Sequence, residues 1–468
     1  MTTIDHRGHD LVIIPDKKML QMPTPELVQA LFGSYLPADI RSAIGRDKRH
    51  AFLRTQPIHF YAVKQALQEQ HTPFTLAFEE RPGLPFETAL NVEPRPYQDE
   101  ALKSWQAAGN AGVIILPTGA GKTLVAAMTI HKMKLWTLVV VPTLDLLQQW
   151  QVSLASSLSL SADEIGVFGG GEKEIKPITI ITYDSAVLYT YELKRFGLLV
   201  FDECHHLPAP TYRLIAESAF TPLRLGLSAT PERSDMAHFD LEQLIGPEVY
   251  RRSPEELTEG RYLAQYKEMY IDISLSSEDE ARYAEQRRIY RSFLQRRRIV
   301  IRSPEDFQQK IIFLSARDSE ARKAMLAWRE ARNIAMNAPA KYTEIERLLR
   351  LHATDQIILF SEYNQVVDEI SRRFCLPSIT YKTPAEERRV ILERFRSGQY
   401  TKLATGRVLN EGVDVPDCRV AIIVSGNSTK REYIQRLGRV LRPKAGQALL
   451  YELVTSSTTE EEMAKRRK

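Results

Sequence analysis

A lysine and a threonine behind two glycines, set between two apolar runs, constrain this chain more than any other feature. The stretch Leu116-Pro117-Thr118-Gly119-Ala120-Gly121-Lys122-Thr123 follows an apolar run at 111–116 and precedes a helix-like run at 124–133. Strand, glycine loop and helix, in that order, is the setting a phosphate-binding loop requires. Small residues let backbone N–H groups close around phosphate oxygens at the positive end of the helix. Thr118, Gly119, Ala120 and Gly121 then form the cradle. Lys122 reaches the β- and γ-phosphates, and the Thr123 hydroxyl holds Mg²⁺. The general pattern starts with a glycine five residues before Gly121, where this chain has Leu116. A plain glycine turn is the alternative, and a second motif argues against it.

That motif is Leu198-Leu199-Val200-Phe201-Asp202-Glu203-Cys204-His205-His206. An apolar strand ends in two adjacent carboxylates, at the sheet edge where open α/β folds bind ligands. Asp202 is placed to bind Mg²⁺ across from Thr123. Glu203 is the candidate base that orients and deprotonates an attacking water. Phosphoryl transfer is mostly positioning and charge neutralisation, so few groups suffice. Alone, the acidic pair reads as a solvated loop; beside the phosphate loop it reads as chemistry.

The chain has 468 residues, room for about three domains of ordinary size. No apolar run approaches the length needed to cross a bilayer. The first ten residues are polar and carry Asp5 and Asp10, unlike a signal peptide. A soluble, intracellular protein is expected, with no membrane partner. Cys204, Cys375 and Cys418 lack metal-ligand spacing, which fits a reducing compartment and argues against zinc. A net charge of +4 is mild, so local clusters matter more than the total.

Five segments are expected. Residues 1–92 read as a small α+β domain, with helices starting near Thr24 and His59. Its Arg41, Arg46, Lys48, Arg49 and Arg54 could touch nucleic acid or only water. Residues 93–250 alternate helices with apolar strands at 113–116, 137–141, 178–182, 198–201 and 223–227. That pattern predicts a parallel sheet covered on both faces. Residues 341–455 repeat it, with strands at 356–360, 402–404, 420–424 and 448–453.

Between them, 251–340 reads as a basic helical insertion. Residues 281–302 hold Arg282, Arg287, Arg288, Arg291, Arg296, Arg297, Arg298 and Arg302 against one acid, Glu285. Tyr283, Tyr290, Phe293 and Leu294 fall at helical spacing. Arginine binds phosphate and stacks on bases, so nucleic-acid contact is one reading. A charged face paired with acids elsewhere is the other. Residues 456–468 read as a flexible basic tail.

The remaining motifs fall in a recognisable order: Arg95-Pro96-Tyr97-Gln98, then Val141-Pro142-Thr143, Ile181-Thr182-Tyr183-Asp184-Ser185 and Leu227-Ser228-Ala229-Thr230. Leu359-Phe360-Ser361 follows, then Asn410-Glu411-Gly412-Val413-Asp414-Val415-Pro416. Last comes Gln435-Arg436-Leu437-Gly438-Arg439-Val440-Leu441-Arg442-Pro443. With His-His-Leu-Pro after the acidic pair, the set resembles superfamily-two helicases. It is most similar to the xeroderma pigmentosum group B (XPB) helicases in their short archaeal or bacterial form.

The resemblance covers about 93–453 and implies two RecA-like domains, ATP and Mg²⁺ as cofactors, and DNA as substrate, whether single-stranded, duplex or forked. It implies that Gln98 reads the adenine edge, with Arg95 nearby. His205, Ser228 and Thr230 would couple the nucleotide to motion. Gly412 and Asp414 would touch ribose and phosphate, and Gln435, Arg439 and Arg442 would close the site. Thr143, Thr182 and Ser361 would meet the DNA backbone, although a capping role is equally open to each. The family's thumb-like insertion matches 277–337. Hydrolysis would then require closure of a cleft between the two domains.

The implied function is an ATP-dependent 3′-5′ DNA helicase in nucleotide excision repair or transcription-linked opening. A nuclease or a repair or transcription assembly is the implied partner. The implied location is cytoplasmic and nucleoid-associated in a prokaryote, nuclear in a eukaryote. The family carries Arg-Glu-Asp after Ser-Ala-Thr, whereas this chain has Arg233-Ser234-Asp235. In the family that motif is linked to strand separation. A duplex translocase that does not separate strands is therefore a second reading, and an ATP-gated DNA-binding module a third.

Overall fold

Runs of β-branched and aliphatic residues, each ended by a glycine, proline or polar turn, form the strands of three sheets. The computed structural model describes all residues except 8–9, 48–51, 78–81, 232–235, 260–265, 302–303, 407–417, 426–447 and 468. Two units result, Met1–Glu259 and Gly260–Lys468.

In the first unit, β1 (Thr2–Arg7), β2 (Asp10–Ile14), β3 (Gly45–Arg46), β4 (Leu53–Thr55) and β5 (Phe74–Leu76) pair in the order β3-β4-β2-β1-β5. Helices Thr24–Phe32 and Phe60–Glu69 bury Leu27, Leu31, Phe60, Val63 and Leu67 in the same core as Ile4, Leu11 and Leu53. Phe220, from beyond this small domain, joins that core edge-on to Phe60 at 5.4 Å.

A larger sheet follows: β6 (Ala111–Ile115), β7 (Thr137–Val141), β8 (Ile165–Gly169), β9 (Glu172–Lys173), β10 (Ile178–Thr182), β11 (Leu198–Asp202), β12 (Arg224–Ser228) and β13 (Glu248–Arg251). Its order is β13-β6-β12-β11-β7-β10-β8-β9. All pairs are parallel except β8 with β9. Strands β7, β10, β11 and β12 are buried along their whole length, as a sheet covered on both faces demands. The order places β12 between β6 and β11. Register sets Leu227 opposite Asp202 and Ser228 opposite Ile115. Three chemistry-bearing strand ends therefore meet at one edge.

The second unit carries β14 (Tyr266–Ile273), β15 (Ile357–Ser361), β16 (Ser378–Ile379), β17 (Lys402–Thr405), β18 (Val420–Ser425) and β19 (Ala448–Thr455). They pair in the order β14-β19-β18-β15-β17-β16, all parallel. Strand β14 differs from expectation. It falls in the stretch read as a helical insertion, yet pairs with β19 over its full length. Met269, Ile271 and Ile273 turn inward while Glu268, Tyr270 and Asp272 stay exposed. An edge strand with one wet face has no continuous apolar run to betray it.

The basic helix spans Ser277–Arg297 and starts at Ser276, whose side chain accepts from the Asp279 N–H. Glu278, Asp279 and Glu280 fill its first turn, where the positive helix end favours anions. Arg298, at φ +52°, ends it. Tyr290 and Phe293 pack on Ala321 and Ala324 of helix Ser319–Met336. Residues 456–468 also depart from expectation, because they contain helix Thr459–Arg467 rather than a flexible tail. Glu460 anchors it through a buried ion pair with Lys341 at 2.7 Å. Among the described residues, no helix is long and apolar enough to cross a membrane.

Candidate active site

The phosphate loop needs two residues in left-handed backbone, and glycine supplies both: Gly119 at φ +82° and Gly121 at φ +80°. A β-carbon on Gly121 would meet the Gln98 amide nitrogen at 2.4 Å. Helix Lys122–Met133 begins directly after the loop, so its first N–H groups face the cradle. Helix Pro96–Ala107 braces the loop from below. The Tyr97 hydroxyl donates to the Ala120 carbonyl at 2.7 Å, and Gln98 Nε2 donates to the same oxygen at 3.0 Å. Gln98 Oε1 accepts from the Arg95 N–H at 2.9 Å, and Arg95 Nη1 donates to the Tyr97 hydroxyl at 3.2 Å. Gln98 is 2% exposed, with both ends of its amide engaged. In this conformation it is a strut of the loop, a use its place in the motif did not reveal.

Lys122 and Glu203 meet across the strand ends. The ammonium donates to the Leu116 carbonyl at 3.4 Å and lies 3.8 Å from Glu203 Oε1. Glu203 sits at φ +45°, a left-handed conformation that costs a residue with a β-carbon about 1–3 kcal/mol. That turn directs its carboxylate back toward Lys122. Ser228, from the adjacent strand end, donates to Glu203 Oε2 at 3.4 Å and contacts His205 Nδ1 at 3.1 Å. The Thr230 N–H donates to Ser228 Oγ at 3.2 Å. Of the residues read as catalytic or coupling, Lys122, Glu203, His205, Ser228 and Thr230 are thus joined in one network.

Asp202 is held on both oxygens. The Glu203 N–H donates to Oδ1 at 3.0 Å, and the Trp150 indole N–H donates to Oδ2 at 2.7 Å. Trp150 and Tyr183 escaped the sequence reading as site residues. The Tyr183 hydroxyl donates to the Asp202 carbonyl at 3.1 Å. Burial first, and the neighbouring Cys204, Asp202 and Glu203 next, push the Tyr183 hydroxyl well above its ordinary range, so it remains a donor. Burial also raises the Cys204 thiol, with the adjacent carboxylates adding to it. It stays protonated and acts as filler between the strands.

The residues fit a nucleotide with Mg²⁺. The buried Thr118 hydroxyl, within the loop, has no hydrogen-bond partner among the described residues. Two left-handed glycines keep side chains out of the cradle. No cluster of three or more His, Cys, Asp or Glu side chains suited to a metal occurs among the described residues. Mg²⁺ is commonly held by one or two protein oxygens plus substrate phosphates. Thr123 and Asp202 would supply those oxygens.

The proposed DNA contacts divide. Thr143 caps helix Leu144–Leu158, accepting from the Leu146 N–H at 3.3 Å. Thr182 caps helix Tyr183–Leu188 at 3.3 Å from the Ser185 N–H, and Ser361 accepts from the Tyr363 N–H at 3.1 Å. Thr182 and Ser361 are buried, whereas Thr143 keeps part of its surface. On the basic helix, Arg288 pairs with Glu285, Arg297 with Asp318 and Arg296 with Glu320. Arg287, Arg291 and Arg298 form no ion pair among the described residues. Arg287 and Arg291, together with the paired Arg288, line a cleft of about 770 Å³ with Gln295, Glu461 and Ser456–Thr458. Arg233, Gly412, Asp414, Gln435, Arg439 and Arg442 lie outside the described residues.

Two family models match this chain. A family model described as type III restriction enzyme, res subunit, matches residues 91–233. One described as the ERCC3/RAD25/XPB C-terminal helicase matches residues 320–468. The chain is 44% identical over 388 residues to a protein named DNA 3'-5' translocase XPB2 from Sulfurisphaera tokodaii, across 82% of this chain and 87% of that protein. It is 32% identical over 386 residues to one named DNA 3'-5' helicase XPB from Kineococcus radiotolerans, across 80% of this chain and 62% of that longer protein. The Pyrococcus furiosus Hef helicase domain superposes with a TM-score of 0.57, at 18% identity, over 80% of this chain and 98% of that one. That last likeness is one of fold.

Proposed function

The chain belongs to the XPB family of superfamily-two helicases, and on that premise we propose that it is an ATP-dependent 3′-5′ DNA helicase, coupling hydrolysis to DNA opening in nucleotide excision repair or transcription-linked processes. The observation that carries this reading is the buried network of Lys122, Glu203, Ser228 and His205 beside a two-glycine phosphate loop. Lys122 neutralises phosphate charge. Glu203 orients the attacking water and takes its proton. Thr123 and Asp202 would hold Mg²⁺, which would supply positive charge to offset that developing on the phosphates. Because Ser228 and His205 both touch Glu203, any shift of that carboxylate is felt at the end of β12, where Thr230 leads on toward Arg233. Gln435, Arg439 and Arg442 close the site, and the two arginines supply its cations, a role typically worth about 10³ to 10⁵ in rate. Contacts to the phosphate backbone carry no base code, so little sequence preference follows. The cytoplasm, beside the nucleoid in a prokaryote, is the matching location, and a nuclease or repair assembly the matching partner.

Ser234, where the family has an acid between Arg233 and Asp235, favours a second reading, a translocase that follows duplex DNA without parting it. One experiment separates the two. Forked duplexes with a 3′ or a 5′ tail, and a duplex bearing a third strand, are incubated with protein and ATP. Helicase action releases the duplex strand from the 3′-tailed fork. Translocation alone strips the third strand and leaves the fork intact. No ATP-dependent release from any substrate would reject the motor.

A further inference from the structure

We infer that Trp150 is a positioning residue for the metal carboxylate, fixing Asp202 through its indole N–H. The inference rests on reading this site as one for nucleotide and Mg²⁺. A buried indole must place its N–H on an acceptor. Trp150 is 3% exposed and places it on Asp202 Oδ2 at 2.7 Å, while the Glu203 N–H takes Oδ1 at 3.0 Å. One donor on each oxygen stops rotation about the carboxylate bond. Each oxygen still keeps lone-pair capacity for a cation or its water.

The indole itself is anchored. Helix Leu144–Leu158 buries Leu146, Leu147, Leu154 and Leu158 as well as Trp150, so the N–H is delivered from a rigid element. The carboxylate is thereby set by a helix remote in sequence from its own strand. This is how outer partners orient metal ligands elsewhere, and their removal typically costs about 10- to 100-fold in metal affinity. Packing alone would not require the nitrogen, since a hydrocarbon bicycle would fill the same volume.

The test uses the full chain in three forms: wild type, Trp150→Phe, and Trp150→3-benzothienylalanine. The last keeps the bicyclic shape and replaces N–H with sulfur. ADP affinity is measured by calorimetry in excess Mg²⁺ and in EDTA, with melting temperatures recorded alongside. Wild type should bind ADP more tightly with Mg²⁺. Both variants should lose about tenfold of that Mg²⁺-dependent gain while their affinity in EDTA is unchanged. Should Trp150→Phe fail to fold, the benzothienyl form decides alone. Full retention of the Mg²⁺ gain in the variants overturns the inference. So does an equal weakening in Mg²⁺ and EDTA, which would mark a packing role. If wild type binds no ADP in either condition, the nucleotide reading fails first and the inference falls with it.

Discussion

Gly121 shows how tightly single positions are held. Its φ of +80° excludes a β-carbon on conformational grounds, and the Gln98 amide 2.4 Å from the ideal β-carbon position excludes it sterically. Gly121→Ala should therefore cost about 1–2 kcal/mol from backbone alone. It should also weaken ADP binding, because either Gln98 or the loop must move. Melting temperature and ADP calorimetry on the same sample check both effects; unchanged values would show that the loop is not braced as described. Residues of this kind were readable in the linear chain because a phosphate loop is contiguous. Lys122 and Thr123 follow from Gly119 and Gly121 without any knowledge of distant neighbours. Trp150 and Tyr183 were not readable. Each serves Asp202 from another element, and a tryptophan or tyrosine in an apolar run looks like core. Gln98 falls between these cases, since its motif marked it as important while its bonds to Ala120 depend on how two elements pack.

Helix Thr459–Arg467 rests on one buried charge pair. Lys341 Nζ donates to both Glu460 oxygens, at 2.8 and 2.7 Å, and to the Val424 carbonyl at 2.7 Å, with both side chains 1% exposed. Removing one partner leaves an uncompensated buried charge, which typically costs about 3–5 kcal/mol. Lys341→Met should destabilise by that amount in denaturant unfolding. The double variant Lys341→Met with Glu460→Leu should recover much of it, because the desolvation penalty goes with both charges. Equal stability of wild type and Lys341→Met would contradict the account. This helix was invisible in sequence because its residues are charged and its anchor lies far up the chain. The fully buried strands β7, β10, β11, β15 and β18 were legible for the opposite reason, both faces being covered. Strand β14 hid behind alternating polarity.

The basic helix is the element through which the whole molecule would hold DNA. Its arginines are not equivalent: Arg288, which shares the cleft with Arg287 and Arg291, and Arg297 are committed to carboxylates, while Arg287 and Arg291 form no ion pair among the described residues. Arg287→Ala with Arg291→Ala should weaken DNA binding across all sequences. It should also flatten the salt slope by about one unit per lost phosphate contact. Arg288→Ala with Arg297→Ala should do less. Equal effects of the two pairs, in titrations at several salt concentrations, would mean that ion pairing does not decide which arginines bind. The proposed function assigns Arg439 and Arg442 to the same larger scheme, in which charge developing on the phosphates would be met by groups far along the chain. Everything in that scheme depends on Glu203 acting as the base. The direct measurement is ATP turnover, with and without DNA, by wild type and by a folded Glu203→Gln protein. Wild type should hydrolyse ATP and accelerate with DNA. The variant should still bind ATP with Mg²⁺ but lose about 10²- to 10⁴-fold in turnover under both conditions. Undiminished, DNA-stimulated turnover in the variant would contradict the account at its centre.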